Sequence, residues 1–461
     1  MKRLFPLRIE KLALEGYGLG YHEGKAVFVP CAVPGDEIEA WLLRERKDVA
    51  FAQAENFLRR GEGVIPSRCA AFGGEDPCGG CDWLELDYPW QLRYKRELLS
   101  ELLQPLAPEV EIPETQASPV QIHYRNKAFL PVGGDEKGLH CGIFARWSHH
   151  IVQHQSCLLH PPLFDKIAQR CLEILYRTGV SPYDEISHSG TLRHIGFRCS
   201  RDLEQVQLIL VTRSGKLPFS NLLVKQLTTE FPQLCGIVQN INRERGNVIL
   251  GREEKLLWGE PWLFDAAGGV NFRIHYRSFW QVNTPLLERI IGILSGMLSP
   301  DDVVYDAFAG IGSLGLCLAG SVKKVLCIEE NPAAVADGEF TAEQNKIANA
   351  SFLCAKTEDA LPALLGTANA ENAERPQVLI LDPPRSGVQS QALQAITSAA
   401  IPRIFYLSCS PITLYRDLKI LLDSGLYRIN LIRPCDMFPQ TWHVETLVGL
   451  ELTAQAKAPA E

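Results

Sequence analysis

Apolar and polar positions alternate over short stretches in the first 60 residues. The apolar-rich segments LRIEKLAL, AVFVPCAV and DEIEAWLL are separated by the turn sequences EGYGLGYHEGK and VPGD. Short strands broken by glycine turns predict a small β-barrel of the OB type, a fold that often binds single-stranded RNA. A β-domain with a purely structural role fits the pattern equally well. We assign this predicted barrel to residues 1–60.

A mixed pattern follows the predicted barrel. The segment PWQLRYKRELLSELLQPL predicts a helix, because its large apolar residues recur near one face. Farther on, QVQLILV predicts a strand, and GIVQNINRERGNVILG predicts two strands around a turn. These elements predict a central α+β domain over residues 61–265.

From about residue 286, helical and strand patterns alternate. LLERIIGILSGML predicts a helix, and the apolar runs DDVVYDAF, KKVLCIEEN, VLILDPP and RIFYLSC each end at polar residues. Strands alternating with helices imply a parallel, doubly wound sheet of the Rossmann-like α/β class. We place this domain at residues 266–453 and expect residues 454–461 to form a frayed tail.

Composition narrows the functional classes only slightly. The 46 Lys and Arg residues against 54 Asp and Glu residues give a net charge of −8, which disfavours nucleic-acid binding through bulk charge. Local basic clusters, such as Arg125 with Lys127, still provide a surface for RNA. No apolar run is long enough for a membrane span, so we expect a cytoplasmic protein. In that compartment, 14 cysteines indicate metal, catalysis or core packing rather than disulfides.

A glycine-rich loop follows the first strand of the predicted Rossmann-like sheet. It contains Gly310, Gly312 and Gly315 in the GxGxxG spacing, which also occurs in dinucleotide enzymes and in tight turns without a ligand. Asp306 precedes the loop and Glu329 ends the next strand, where an acid can bind ribose hydroxyls. These two acids favour S-adenosylmethionine over a dinucleotide, because S-adenosylmethionine carries cationic ammonium and sulfonium groups and no phosphate.

Three polar groups at later strand ends are candidates for chemistry. Asp382 begins DPPR, Cys409 lies in LSCSP before a helix expected near Thr413, and Glu445 precedes an apolar run. The helix start is expected to lower the pKa of the thiol. Taken one at a time, Asp382 also fits a simple turn, Cys409 a cysteine of the core and Glu445 a carboxylate on the surface. Together, a thiol and a carboxylate supply a nucleophile and a base.

Uracil methylation needs both of those groups. Carbon 5 of uracil is a poor nucleophile until a thiolate adds to carbon 6, and a base must later remove the carbon-5 proton. Such an enzyme is expected to flip its target base out of the RNA stack.

A cysteine-rich segment predicts a metal site. Eight residues separate Cys69 from Cys78 and two separate Cys78 from Cys81, and Cys157 is the best candidate for a fourth ligand. Four thiolates suit zinc or an iron–sulfur cluster, and the spacing does not decide between them. A redox pair at Cys78 and Cys81, or simple packing, also fits.

In order along the chain, these motifs resemble those of the bacterial uracil-5 methyltransferases of RNA. The resemblance is closest to the 23S rRNA branch, which carries an N-terminal TRAM domain and a 4Fe-4S cluster. It covers nearly the whole chain through EGYGLG, RCAAFG with CGGC, HYRNKA, IVQHQSC, FWQVN, DAFAGIGSLGL, DPPRSG, LSCSP and FPQTWHVE.

The resemblance implies specific roles. Cys409 is the implied nucleophile and Glu445 the implied base. The implied contacts of S-adenosylmethionine are Gln281, Phe308, Gly310, Gly312, Ser313, Glu329 and Asp382, and the implied ligands of the 4Fe-4S cluster are Cys69, Cys78, Cys81 and Cys157. The implied partner is 23S rRNA with a flipped-out uridine, bound by a monomer.

The chain departs from the family pattern at three places. Ser313 stands where asparagine is frequent, Ser410 makes SCSP of the usual SCNP, and GEDP lengthens the cysteine segment. The tRNA branch typically lacks TRAM domain and cluster, which favours ribosomal RNA, although some cluster-bearing members modify tRNA. Three other readings are a 5-methylcytosine enzyme, a non-catalytic ribosome-assembly factor and a radical methylthiotransferase. The last expects cysteine gaps of three and two, whereas the first gap here is eight.

Overall fold

The computed structural model describes residues 3–73, 77–153, 155–366 and 374–454. Most of the GEDP insertion (residues 74–76) and of the predicted tail (residues 455–461) lie outside the described residues. Within those ranges, the strands form three large sheets and one hairpin. No helix in the described part of the chain is both long and apolar enough to cross a membrane.

The N-terminal sheet has six strands in the order β1-β5-β6-β4-β3-β2. They are β1 (Phe5–Arg8), β2 (Lys11–Leu12), β3 (Gly18–His22), β4 (Lys25–Val29), β5 (Glu37–Glu45) and β6 (Val49–Arg59). The two outer strands of this sheet, β1 and β2, are consecutive in the chain. β1 pairs with β5 at one edge, and β2 pairs with β3 at the other. The enclosed side chains, among them Ile9, Val27 and Ile38, are almost fully buried.

Helix α1 (Tyr88–Leu103) follows the cysteine-rich segment. The Asp87 carboxylate accepts the backbone N–H of Tyr88 at 2.9 Å and caps the helix start. Leu99 and Leu103 belong to the same core as the strands of the C-terminal sheet. The predicted helix therefore forms, and it shares a buried core with residues about 300 positions downstream, such as Ile404.

The central sheet has seven strands in the order β13-β12-β11-β10-β7-β8-β9. Its elements are β7 (Lys127–Asp135), β8 (Gly138–Phe144), β9 (Ile151–Gln153), α2 (Pro162–Arg177), β10 (Leu192–Cys199), β11 (Val206–Thr212), α3 (Ser220–Glu230), β12 (Leu234–Ile241) and β13 (Glu253–Gly259). The second strand predicted in GIVQNINRERGNVILG is wrong. Side-chain hydrogen bonds take the place of backbone pairing between strands there. The side-chain amide of Asn240 donates to the Gly251 carbonyl, and that of Asn242 donates to the Val248 carbonyl.

A two-stranded hairpin connects the central and C-terminal sheets. It consists of β14 (Trp262–Ala267) and β15 (Val270–His275). Leu263, Phe272 and Ile274 of the hairpin are buried in the same core as helix α4 (Thr284–Ser295). The domain boundary expected at residue 265 lies within β14, and both strands pack against the C-terminal part of the chain.

The C-terminal sheet has the order β18-β17-β16-β19-β20-β22-β21. Its further elements are β16 (Val303–Ala307), α5 (Gly315–Leu318), β17 (Lys324–Glu329), α6 (Pro332–Gln344), β18 (Ala350–Cys354), α7 (Thr357–Gly366), β19 (Val378–Leu381), α8 (Ser390–Ala399), β20 (Arg403–Ser408), α9 (Pro411–Asp423), β21 (Tyr427–Cys435) and β22 (Glu445–Leu452). The first five strands are parallel, as the alternating pattern predicts. In contrast, β22 runs antiparallel to β20 and to β21.

The buried ion pair between Lys95 of α1 and Asp436 ties this helix to the C-terminal sheet, and both side chains are 0% exposed. We expect Lys95→Ala to lower the free energy of unfolding by about 3–5 kcal/mol, because it leaves the Asp436 carboxylate buried without its cation. Urea denaturation followed by circular dichroism measures this change.

The matched control on the same helix is Arg93→Ala. Arg93 pairs with Glu97, but both side chains are more than half exposed, so the unfolding midpoint should hardly move. Equal effects of the two variants would contradict a structural role for the Lys95–Asp436 pair.

Candidate active site

The carboxyl ends of the parallel strands bring the candidate residues to one edge of the C-terminal sheet. In such sheets, ligands bind at this edge, beyond the strand ends. Because β22 is antiparallel, its first residues lie at the same edge, and Ser408 of β20 is the register partner of Thr446. Cys409 and Glu445, which adjoin these two partners, therefore come together although 36 residues separate their positions in the chain.

The glycine-rich loop leaves β16 in an unusual backbone conformation. Phe308, Gly310 and Gly312 all have positive φ, at 62°, 59° and 78°. A Cβ at Gly312 would lie 2.8 Å from the Phe352 ring, whereas one at Gly310 would meet nothing within 4 Å. Gly312 is thus needed for packing, and Gly310 borders open space in which a ligand can approach the backbone. Ser313, the next residue, is almost buried, with 9% of its surface exposed.

Two acids organise this loop. Glu329, the last residue of β17, accepts the backbone N–H of Gly310 at 2.9 Å and that of Asn331 at 2.8 Å. Asp306 is buried and accepts the N–H of Gly315 at 2.8 Å, while its other oxygen has no partner among the described residues. Burial, with smaller effects from Asp382 and Glu329, raises the pKa of Asp306 to about 7. A cationic ligand at this edge would favour the charged form of these carboxyl groups.

Gln281 and Asp382 meet across the same edge. The Gln281 amide Nε2 lies 3.4 Å from an Asp382 carboxylate oxygen. Burial raises the pKa of Asp382 to about 7, against the lowering effect of this hydrogen bond. Asn126, from the central part of the chain, donates to the Gln281 carbonyl at 2.9 Å and so fixes that residue. The sequence interpretation gave Asn126 no role, although it lies within the quoted motif HYRNKA.

Cys409 lies between β20 and α9, and its thiol is partly buried. The expectation of a lowered thiol pKa is wrong for this structure. Burial, with the nearby Glu445 carboxylate, raises the pKa of Cys409 to about 11, while Arg385 acts in the opposite direction. The start of α9 lies at Pro411, two residues after Cys409, and burial and the carboxylate outweigh its effect on the thiol.

Glu445 is buried rather than a surface group. It is 2% exposed, and its Oε1 has no hydrogen-bond partner among the described residues. Burial and the Asp382 carboxylate raise the pKa of Glu445 well above its usual range. A buried carboxylate without a full set of partners costs stability, which is typical of functional sites rather than of structural ones.

Arg385 and His443 complete the surroundings of the thiol, and the sequence interpretation assigned neither. An Arg385 guanidinium nitrogen lies 3.4 Å from Nε2 of His443. Burial, together with Arg385, lowers the pKa of His443 to about 3, so the imidazole is neutral at physiological pH. Arg385 is the cation that opposes the raised pKa of both Cys409 and Glu445. In the sequence, Arg385 was marked only by its position at the end of the motif DPPR, three residues after Asp382.

The segment 436–443, which leads into Glu445, is held from several sides. The Gln91 side chain of α1 makes two hydrogen bonds of 2.9 Å with Gln440. Its Nε2 donates to the Gln440 side-chain oxygen, and its Oε1 accepts the Gln440 backbone N–H. Asp82, which follows Cys81, accepts the N–H of Trp442 at 3.2 Å. The cysteine-rich segment and α1 therefore fix the approach to Glu445.

The four candidate metal ligands line one small cavity. Cys69, Cys78, Cys81 and Cys157 share it with apolar side chains such as Phe72. Burial raises the pKa of Cys78 and of Cys81. Burial acts in the same direction on Cys157, but the hydrogen bond and charge of His160, together with backbone hydrogen bonds, outweigh it and lower the pKa of that thiol. Across residues 3–73, 77–153, 155–366 and 374–454, no three His, Cys, Asp or Glu side chains are arranged to hold a single metal ion.

Known proteins resemble this chain over most of its length. A family model described as tRNA (Uracil-5-)-methyltransferase matches residues 208–453. An uncharacterized RNA methyltransferase of Listeria monocytogenes is 36% identical over 450 residues, covering 97% of each chain. One from Halalkalibacterium halodurans is 34% identical over 449 residues, covering 96% of each chain.

A solved structure resembles the whole fold. It is the crystal structure of Pyrococcus abyssi tRNA (uracil-54, C5)-methyltransferase in complex with S-adenosyl-L-homocysteine. It has a TM-score of 0.75 at 25% identity and covers 98% of this chain and 100% of that chain.

The fold and the glycine loop define a methyltransferase that uses S-adenosylmethionine. The chain belongs to the RNA (uracil-5-)-methyltransferase family. The mixed α/β fold, the enzyme class and the methyl donor expected from the sequence are thereby confirmed.

We expect Arg385→Gln to raise the pKa of Cys409 further, because the variant removes the cation that stabilises the thiolate. Below its pKa, a thiol is neutral and reacts slowly. Alkylation of Cys409 by iodoacetamide, followed by mass spectrometry of its peptide across a pH series, should give a midpoint near 11 in the unsubstituted protein. The midpoint of the variant should be higher and its rate at pH ~9 severalfold lower.

Arg428→Gln removes the same charge from an exposed side chain on β21 and is the control. It should leave the alkylation profile unchanged. An unsubstituted protein whose Cys409 reacts with a midpoint below the ordinary thiol range would contradict the electrostatic account of this site.

Proposed function

We propose that the protein methylates carbon 5 of uridine in RNA, with Cys409 as the nucleophile and Glu445 as the base. The observation that carries this proposal is the register of β20 and β22, which sets a partly buried thiol beside a buried, incompletely paired carboxylate. Family membership supplies the reaction class.

The proposed chemistry proceeds in three steps. The Cys409 thiolate forms a bond to carbon 6 of uracil, and the electron pair of the ring double bond moves into an enolate. S-adenosylmethionine, when bound, would supply an electrophilic methyl group: the enolate electron pair would form the bond from carbon 5 to the methyl group, while the sulfonium–methyl bond breaks and leaves S-adenosylhomocysteine as the leaving group. Glu445 then removes the carbon-5 proton, and the electrons of that C–H bond restore the double bond and release the Cys409 thiolate.

The electrostatics of the free protein suit this sequence. Burial raises the pKa of Cys409 and of Glu445 and so favours the neutral form of both groups in the free protein. A cationic methyl donor beside Asp382 lowers the pKa of the neighbouring carboxyl groups and so prepares Glu445 as a base. Arg385 stabilises the thiolate and, we propose, the enolate oxygen as well.

The residues around the glycine loop fit S-adenosylmethionine. We propose that Glu329, at the end of β17, accepts ribose hydroxyls and that the open space at Gly310 admits the ligand. We propose that Asp382 and Gln281 lie against the charged part of the molecule. The remaining proposed contacts are Phe308, Gly312 and Ser313.

We propose 23S rRNA as the substrate, with the target uridine flipped out of its stack and the N-terminal sheet acting as a TRAM domain. A groove supports RNA binding, because it is lined by Arg125, Lys127, Arg146 and Arg385 together with aromatic side chains. A tRNA uridine is the second candidate. The likeness to a tRNA (uracil-54, C5)-methyltransferase over nearly the whole chain favours it.

We propose that Cys69, Cys78, Cys81 and Cys157 hold a 4Fe-4S cluster with a structural role. Each thiolate of such a cluster binds a different iron, so the four thiols need to surround a cavity rather than meet at one point. Zinc instead requires all four sulfurs about 2.3 Å from one centre. The shared, largely apolar cavity supports the cluster.

The purified protein is expected to form 5-methyluridine from S-adenosylmethionine and an RNA substrate. Cys409→Ala should lower the rate at least about 10³-fold, because carbon 5 is then never activated. Glu445→Gln should instead accumulate a covalent protein–RNA adduct that survives denaturing electrophoresis, because the carbon-5 proton stays in place. Nucleoside mass spectrometry and gel shifts measure the two outcomes.

Cys354→Ala, at an exposed cysteine on β18, is the matched control and should be fully active. Methylation by Cys409→Ala at the unsubstituted rate would refute the nucleophile role. Parallel assays with 23S rRNA and tRNA fragments decide the substrate, and product only in tRNA would overturn the ribosomal assignment.

Protein purified without air is expected to be brown and to contain about four irons and four sulfides per chain. Cys157→Ala should lose the iron, because it removes one of the four ligands. Cys171→Ala, at a buried cysteine in the core of α2, should retain it. Elemental analysis tests this, and stoichiometric zinc without iron would overturn the cluster assignment.

A further inference from the structure

Trp147 occupies an unusual position in the turn that joins β8 to β9. The Ser148 backbone N–H donates to the Ala145 carbonyl at 3.1 Å and closes this turn. Trp147 has φ of +58°, in the left-handed region that favours glycine, and 57% of its surface is exposed. A large apolar side chain held in this conformation indicates that its placement serves a purpose other than folding.

The indole of Trp147 is fixed from one side. It stacks on the Tyr17 ring with centroids 5.9 Å apart and planes inclined by 24°, and its Nε1 donates to the Tyr17 hydroxyl at 3.2 Å. The edge of Phe51 also contacts it, at 6.1 Å between centroids. These contacts preorganise the indole while more than half of the residue remains open to solvent.

The motif EGYGLG explains how this support is held. Tyr17 is 5% exposed and lies immediately before β3. Gly16 approaches the segment 436–443 so closely that a Cβ there would lie 2.8 Å from the Trp442 Cβ. The motif therefore joins the support of Trp147 to the segment that leads into Glu445.

Trp147 lines the same groove as the basic side chains near the active site. The arginines of this groove are Arg125, Arg146 and Arg385, and its acidic side chains are Glu15 and Asp82. Asp82 is already paired with Arg146 at 2.6 Å, and the two other arginines outnumber Glu15, so the remaining charge is positive although the whole chain carries −8. A positive groove with an exposed aromatic ring matches single-stranded nucleic acid.

We propose that Trp147 is a stacking platform for one unpaired base of the substrate RNA, close to the uridine presented to Cys409. This inference rests on the proposed function. Flipping a uridine out of its stack leaves neighbouring bases without stacking partners, and an exposed, rigid indole replaces such a partner for any base.

The test compares Trp147→Gly, Trp147→Leu and Trp147→Phe by RNA affinity and methylation kinetics. Glycine suits the left-handed backbone, so Trp147→Gly should be folded while its Kd and KM for RNA rise about tenfold. Trp147→Leu should lose as much, because it is apolar but has no ring, and Trp147→Phe should keep most of the affinity. KM for S-adenosylmethionine and kcat at saturating RNA should stay within about twofold.

Trp258→Ala is the matched control, at a 39% exposed tryptophan on the outermost strand β13, outside the groove. It should bind RNA like the unsubstituted protein. RNA affinity unchanged in Trp147→Gly, or equally reduced in Trp258→Ala, would overturn the platform. Absence of 5-methyluridine with the unsubstituted protein would instead overturn the proposed function, so the two failures are distinguishable.

Discussion

The antiparallel pairing of β22 with β20 is the constraint on which the candidate site depends. In a fully parallel sheet, the first residue of a strand lies at the opposite edge from the last residue of its neighbour. Reversal of β22 moves Glu445 to the edge where β20 ends, beside Cys409. That edge also carries the glycine loop after β16 and the acid that follows β19, so one reversed strand adds the Glu445 carboxylate to groups that the parallel strands already bring there.

Burial makes this arrangement chemically unusual. Asp306, Asp382 and Glu445 all have raised pKa values, chiefly because each carboxyl group is removed from water. Arg385 is the cation that acts on both Cys409 and Glu445, and it is exposed. In the free protein, burial therefore favours the neutral forms of these carboxyl groups, and a cation bound beside them would lower their pKa values.

Regions far apart in the sequence hold the site in place. Helix α1 packs under the C-terminal sheet and contacts the segment 436–443 through Gln91 and Lys95. The cysteine-rich segment reaches the same loop through Asp82, and the N-terminal sheet reaches it through Gly16. Each of these contacts supports the segment that leads into Glu445, and the stretch that carries Cys69, Cys78 and Cys81 provides one of them.

The sequence by itself determined much of the molecule. Alternating apolar runs predicted the parallel strands of the C-terminal sheet, and the spacing of Gly310 and Gly312 predicted the tight loop after β16, because both patterns are local. The positions of Cys409 and Glu445 at the ends of apolar segments were equally visible. The same local signal failed at GIVQNINRERGNVILG, where the side chains of Asn240 and Asn242 bind the backbone in place of a second strand.

Only the tertiary structure decided how those groups act. The direction of β22, the burial of Glu445 and the position of Arg385 depend on contacts between segments distant in the chain. The pKa of Cys409 was expected to fall because a helix start is a local feature, yet it rises because burial and a carboxylate from another strand outweigh that feature. A sequence pattern records which residues adjoin along the chain, whereas charge and solvation are set by what packs around them in space.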